Sequence, residues 1–271
     1  RMSDRSFSRW SRVPAAIGAL LSRVDLVMAR TGLDAQRFAA LGAQRVAVAG
    51  NLKYDVAPLP ADPRELADLS ARIGARPLWA ACSTHEGEEA IALAAHVALT
   101  SRFPDLLTII APRHPGRGPA IAELAQSEGL AVARRAAGET ITAATQVYVA
   151  DTIGELGLIY RLAGLAFVGG SLIARGGQNP VEPARLGCAV LHGPHVTNFT
   201  EDYALLDAAR GARELADPEA LAVALVELIG EPARLRAMGR AAAEAVEKQG
   251  GATQRIRAAL APALGRAHAR A

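Results

Sequence analysis

With 271 residues, 51% of them apolar, the chain suits one large domain or one and a half ordinary ones and has ample material for a core. Thirty basic residues against 27 acidic ones leave a net charge of +3, too balanced for a protein that coats nucleic acid. There is no apolar run long enough to cross a bilayer as a helix, and Cys82 and Cys188 fall in no metal-ligand spacing, so they read as free buried thiols of a reducing compartment.

The chain opens at Arg1 in mid-pattern, without an initiator Met or a signal-like segment, so an N-terminal portion is expected to precede it. If the opening is helical, Arg1, Arg5, Arg9 and Arg12 share a face beside Phe7 and Trp10. Such a stripe suits anionic lipid phosphates or, equally, a solvated face at the chain's beginning. Short apolar runs at 26–29 and 46–49 flank a helical stretch at 34–41, as in the last βαβ turn of an upstream domain. Pro58, Pro60 and Pro63 then mark a boundary. Four segments follow from this: 1–56, a linker and lead-in helix at 57–76, a second lobe at 77–249, and a terminal helix at 250–271 able to pack back towards the first lobe.

From residue 77, strand-like runs at 78–81, 107–111, 147–150, 165–168 and 189–192 alternate with helical stretches at 86–101, 119–127, 153–163 and 182–187. The end, 218–263, reads as helical and rich in Ala, Arg and Glu. Nearly continuous apolar strands with helices between them predict an α/β fold with a parallel sheet covered on both faces. In such sheets ligands bind beyond the carboxyl ends of the strands.

Four polar or Gly-rich loops begin where strands stop. In Cys82-Ser83-Thr84-His85-Glu86-Gly87-Glu88-Glu89, Ser83 or Thr84 is placed to cap a helix, or to hold a phosphate or sugar oxygen. Ala111-Pro112-Arg113-His114-Pro115 presents a basic pair between prolines, which suits an anionic group but is also compatible with an ordinary turn. Asp151-Thr152-Ile153-Gly154-Glu155-Leu156-Gly157 resembles many helix starts, with Asp151 or Thr152 as cap. The most informative runs from Gly169-Gly170-Ser171 to Gly176-Gly177-Gln178-Asn179-Pro180-Val181-Glu182-Pro183. Paired glycines let backbone amides converge on an anion, and Glu182 is placed to accept from ribose hydroxyls. The plainer alternative is a long flexible loop with a helix-start Glu. Walker-A, GxGxxG, zinc and Gly-x-Ser-x-Gly patterns are all missing from the sequence, which removes the P-loop, nicotinamide-Rossmann, zinc-site and α/β-hydrolase readings.

These motifs, together with Gly50-Asn51-Leu52-Lys53-Tyr54-Asp55, Phe167-Val168, Gly193-Pro194-His195 and Asn198-Phe199, resemble in order and spacing those of the bacterial Kdo (3-deoxy-D-manno-octulosonic acid) transferases. The resemblance implies a GT-B fold: a complete C-terminal Rossmann-like lobe for the nucleotide sugar and the tail end of an acceptor-side N-terminal lobe. It implies CMP-Kdo as donor, a lipid A precursor as acceptor, no metal or other cofactor, and peripheral contact with the cytoplasmic face of the inner membrane. It assigns Lys53 and Arg113 to the phosphate or donor carboxylate, Ser171 and the backbone at Gly176, Gly177, Gln178 and Asn179 to phosphate, and Glu182 to ribose. Ser83, Thr84, His114, Gly154 and Gly170 complete the candidate nucleotide-sugar site. The general base is expected upstream of Arg1. The alternatives are another GT-B nucleotide-sugar transferase, a UDP-sugar 2-epimerase, or a non-catalytic nucleotide-binding module.

Overall fold

The computed structural model describes residues 2–268, with side chains through residue 262. The chain forms two compact units, Arg1–Ala57 with Glu247–Ala271, and Pro58–Val246.

In the first unit, α1 (Asp4–Trp10) starts on Ser3, whose hydroxyl oxygen accepts from the Ser6 amide, and α2 (Pro14–Leu21) starts on a proline. Two three-residue strands, β1 (Val27–Ala29) and β2 (Val46–Val48), pair in parallel and are linked through α3 (Gly32–Ala40), which Thr31 caps. Met2, Ile17, Leu21 and Leu41 make a small core. The expected basic stripe is only partly present. Arg5 and Arg9, one helical turn apart, are exposed on α1, but Arg12 lies past its end and Arg1 lies outside the described residues. Phe7 turns inward against the small core, beneath the Arg37 guanidinium at 5.6 Å.

The second unit runs through α4 (Pro63–Ile73), β3 (Leu78–Thr84), α5 (Glu88–Leu99), β4 (Leu107–Pro112), α6 (Gly118–Ser127), β5 (Val132–Arg134), β6 (Val147–Val149) and α7 (Leu156–Ala163). It continues through β7 (Leu165–Val168), α8 (Val181–Arg185), β8 (Ala189–His192), α9 (Thr200–Ala208), β9 (Ala212–Glu214), α10 (Glu219–Gly230) and α11 (Pro232–Lys248). Seven strands form one parallel sheet in the order β5-β6-β4-β3-β7-β8-β9. Side chains alternate between its two faces, as strand geometry requires. Trp79, Ala81, Ile110, Val147, Val149, Leu165 and Phe167 pack on one face with residues of α5, α6 and α10. Ala80, Cys82, Ile109, Tyr148 and Ala166 pack on the other with α4 and α7. From β3 the chain moves to β4 on one side, and from β7 to β8 on the other. The strand order therefore reverses between β3 and β7, which places the switch-point crevice at their carboxyl ends.

Three expectations need correction. The sheet has strands at both edges, β5 and β9, that are too short and too polar to show a period. The region 200–208, for which the sequence predicts no element, is helix α9. The tail is not continuously helical: it breaks at Glu231 and again at Gly250-Gly251 before α12 (Ala252–His268). Within the first unit, the Asp55 carboxylate accepts from the amides of Gly251, at 2.6 Å, and Thr253 at the start of α12, and Arg255 donates to the Ala49 carbonyl at 2.7 Å.

Candidate functional site

The loops that leave β3, β4 and β6 enclose a cavity of about 280 Å³ lined by Ser83, Arg113, His114, Pro115, Thr152, Gly154 and Glu155, among others. Ser83 is mostly buried and takes the left-handed backbone region (φ 56°), a conformation that costs about a kcal/mol or more for a residue with a side chain. Arg113 is tethered through its amide to the Thr84 carbonyl (2.9 Å) while its side chain is exposed. Gly154 turns at φ 86°, which glycine adopts without that cost.

The fourth loop joins this end of the sheet through His85. Its ring meets His114 edge-on, with centroids 5.9 Å apart, and its Nε2 faces the Gln178 amide nitrogen at 3.2 Å. Burial lowers the His85 pKa, with Glu88 opposing and the Arg175 and His114 charges assisting. A neutral ring accepts at Nε2 from the Gln178 amide, in keeping with that shift. Gln178 is also fixed by its own amide on the Gly169 carbonyl (3.0 Å) and by the Tyr203 hydroxyl, which donates to its carbonyl (2.8 Å). Asn179 caps the next turn by accepting from the Val181 amide, and its side-chain nitrogen donates to Glu182 Oε1 at 3.0 Å. Burial raises the Glu182 pKa, with the Asn179 hydrogen bond and the Arg113 charge holding it back.

Several expected roles do not survive. The Gly170 and Ser171 amides, with that of Leu172, do converge on an anion, but the anion is the Glu88 carboxylate, at 2.7 to 3.1 Å. Ser171 is fully buried: its hydroxyl donates to the Val168 carbonyl and accepts from the Gly193 amide. The Gly177 amide is taken by the Gly170 carbonyl at 2.7 Å. None of these groups is free to hold a phosphate. Neither Ser83 nor Thr84 caps α5, which starts after Gly87. Thr84 is buried and donates instead to Glu89. Likewise Asp151 and Thr152 do not cap α7. Asp151 is buried against Arg134 at 2.7 Å and accepts from the Ala136 amide, and Thr152 donates to Glu155. Lys53 lies in the first unit, in the turn Leu52–Asp55, with its ammonium 5.2 Å from the Tyr54 ring centre.

Glu88, Glu89 and Glu155 stand in the quoted loop motifs, but none of them is among the candidate site residues expected from the sequence. A signal existed for the first. Glu88 precedes Ala92, Ala95 and Leu99 on one helical face, all buried, so its carboxylate had to enter the interior. The arginine pairing had no such signal. Arg117 binds Glu89, Arg134 binds Asp151, and Arg135 binds Glu155 and Glu65. Among the described residues, Arg113 and Arg175 have no ion-pair partner.

A larger groove of about 950 Å³ runs between the end of α9, β9, α10 and α11. Its Arg213 and Arg234 are both tied to Glu227, and no strand-end loops converge on it. Among the described residues no cluster of His, Cys, Asp and Glu could hold a metal ion.

The family model described as 3-deoxy-D-manno-octulosonic-acid transferase (kdotransferase) matches residues 1–56. A 3-deoxy-D-manno-octulosonic acid transferase of Haemophilus influenzae is 35% identical over 270 residues, 98% of this chain and 63% of its own length. One of Bordetella pertussis is 37% identical over 274 residues, with the same coverages. The chain thus spans a little under two thirds of these relatives. Among solved structures, the C-terminal CMP-Kdo binding domain of WaaA from Acinetobacter baumannii is 30% identical with a TM-score of 0.64, covering 68% of this chain and 97% of that one. A UDP-GlcNAc 2-epimerase from Neisseria meningitidis shares the fold, with a TM-score of 0.55 at 16% identity, over 87% of this chain and 60% of that one.

Proposed function

The chain belongs to the 3-deoxy-D-manno-octulosonic acid transferase family, and from that membership we propose that its second unit binds CMP-Kdo as donor for transfer of Kdo to a lipid A precursor. The observation that carries this reading is an unpaired arginine at the mouth of a strand-end cavity. CMP-Kdo presents two anions, a phosphate and the sugar carboxylate. A guanidinium with no ion-pair partner among the described residues, exposed beside His114 and with Glu182 within its field, is suited to one of them. Departure of CMP builds charge on the phosphate, and a positioned cation there lowers the barrier. The half-buried Glu182 is suited to the ribose hydroxyls, and the cavity between Pro112–Pro115 and Thr152–Leu156 has room for a pyrimidine ring.

Contact with the inner membrane is part of the same proposal. Arg5 and Arg9, with the exposed Trp10, offer charge to lipid phosphates and a ring to the interface. No described helix is long and apolar enough to cross a membrane.

Calorimetric titration of the chain with CMP, UDP and NAD in parallel tests the donor site. CMP is expected to bind and UDP to bind at least about tenfold more weakly, a difference of about 1.4 kcal/mol. Equal affinity for UDP, or no heat with CMP, would end the reading.

A further inference from the structure

The structure assigns Glu88 a positioning role: its carboxylate is a built-in anion that sets the turn after β7 in the shape that presents Gln178 and His85 to a ligand. The ligand part of this inference rests on the nucleotide reading above; the part about the turn does not.

Doubly wound sheets commonly receive a ligand's anion in the crevice where strand order reverses, on amides that point outward from Gly-rich turns. Here that crevice lies between β3 and β7, and the chain has filled it with its own carboxylate. Oε2 accepts from the amides of His85 (3.0 Å) and Gly170 (2.7 Å), and Oε1 from those of Ser171 and Leu172 (both 3.1 Å). Glu88 has no exposed surface. With two donors on each oxygen and no access to solvent, this group is not placed to move a proton for a reaction. Its effect is geometric. It ties the first turn of α5 to residues 170–172, which leaves the carbonyls of Gly169 and Gly170 aimed to accept from the amides of Gln178 and Gly177. Gln178, so placed, reaches His85, whose own amide is one of the four donors. Removing the carboxylate leaves four amides turned into an empty hollow, and the loop has reason to rearrange.

A small carboxylate supplied in solution tests this directly. Glu88→Ala is expected to weaken CMP binding about tenfold or more, the equivalent of one lost hydrogen bond. Sodium formate, but not sodium chloride at equal ionic strength, is expected to restore most of that affinity and to raise the melting temperature of the variant and not of the wild-type chain. Glu88→Gln keeps the hollow filled but turns an NH2 group towards two N–H donors. It is expected to weaken CMP binding without responding to formate. Unchanged CMP affinity in Glu88→Ala overturns the proposal, and so does a loss that formate repairs in neither affinity nor melting temperature. Should Glu88→Ala fail to fold, a folded Glu88→Gln that binds CMP as the wild type does overturns it equally. A wild-type chain that binds no CMP sinks the nucleotide reading alone, because the formate-dependent melting shift still decides the role of Glu88.

Discussion

Substituting Glu182 by Gln keeps the side chain's size and its place beside Asn179 but removes its charge. In the structure one carboxylate oxygen accepts from Asn179 at 3.0 Å, and the group is half-buried near the Arg113 charge. A ligand hydroxyl donating to a carboxylate in such a place contributes about 1–3 kcal/mol, so the dissociation constant for CMP should rise roughly 5- to 150-fold. The pH dependence sharpens the test. Burial raises the Glu182 pKa, and ribose hydroxyls donate best to the ionised form. CMP affinity is therefore full above the raised pKa and is lost as pH falls through it, in a window higher than that of an ordinary carboxylate. The phosphate of CMP titrates too, but identically for both proteins, so the difference between their pH profiles isolates Glu182. Arg113→Ala removes a charge that holds this pKa down and should move the loss to higher pH still. Titration calorimetry across pH 5 to 8 reads all three proteins. Equal CMP affinity for wild type and Glu182→Gln, with superimposable profiles, would remove Glu182 from the site and the reasoning with it.

Other consequences follow from the same structure. Arg113→Ala should weaken CMP binding with little change in melting temperature, whereas Arg117→Ala should lower the melting temperature first. It strands Glu89, whose side chain is 2% exposed, as a buried unpaired charge at a cost of about 3 kcal/mol. His96 is fully buried with Nδ1 on the Thr108 hydroxyl (2.8 Å), and burial, assisted by Arg76, pushes its pKa down from 6.5 to about 4. The unfolded chain therefore binds the proton first, and stability should fall by up to about 3 kcal/mol as pH drops from 6.5 to 4, a slope that urea midpoints should show and that His96→Leu should flatten. Asp55→Asn should speed hydrogen exchange at the amides of Gly251 and Thr253. Those bonds hold the Asp55 pKa low, so the wild type should keep this protection through the ordinary carboxylate range and lose it only as pH falls below that range.

The layered α/β architecture was legible because its inner strands are short apolar runs bounded by helical periodicity. Leu165–Val168 and Ala189–His192 end in the structure where their sequences turn polar or glycine-rich. The edge strands Val132–Arg134 and Ala212–Glu214 were not, because an edge strand needs no continuous apolar run and three residues carry no period. The site was half legible. That polar loops follow β3, β4, β6 and β7 could be read from where the strands stop, and the structure gathers them at one end of the sheet. Which of their groups stay free could not. Converging amides look the same in sequence whether they await a phosphate or already hold Glu88, and only the three-dimensional partner of each amide decides.

The same distinction explains why so few groups at this end of the sheet are left for a ligand. The carboxylates of Glu88, Glu89, Asp151 and Glu155 are each neutralised from within, the first by amides and the others by guanidinium groups. Those pairings keep the loops from rearranging, because breaking any one leaves a charge with little water around it. They also clear the field. With Arg117, Arg134 and Arg135 spent on internal partners, the positive charge at the cavity mouth comes from Arg113, whose proline-bounded loop limits where it can point. An anion arriving at these strand tips therefore meets the exposed Arg113 guanidinium and, on the loop after β7, Arg175, whose charge is felt at His85. In the reading proposed above, a ligand's phosphate has to be met by these guanidinium groups, because the nest of amides at residues 170–172 already holds Glu88.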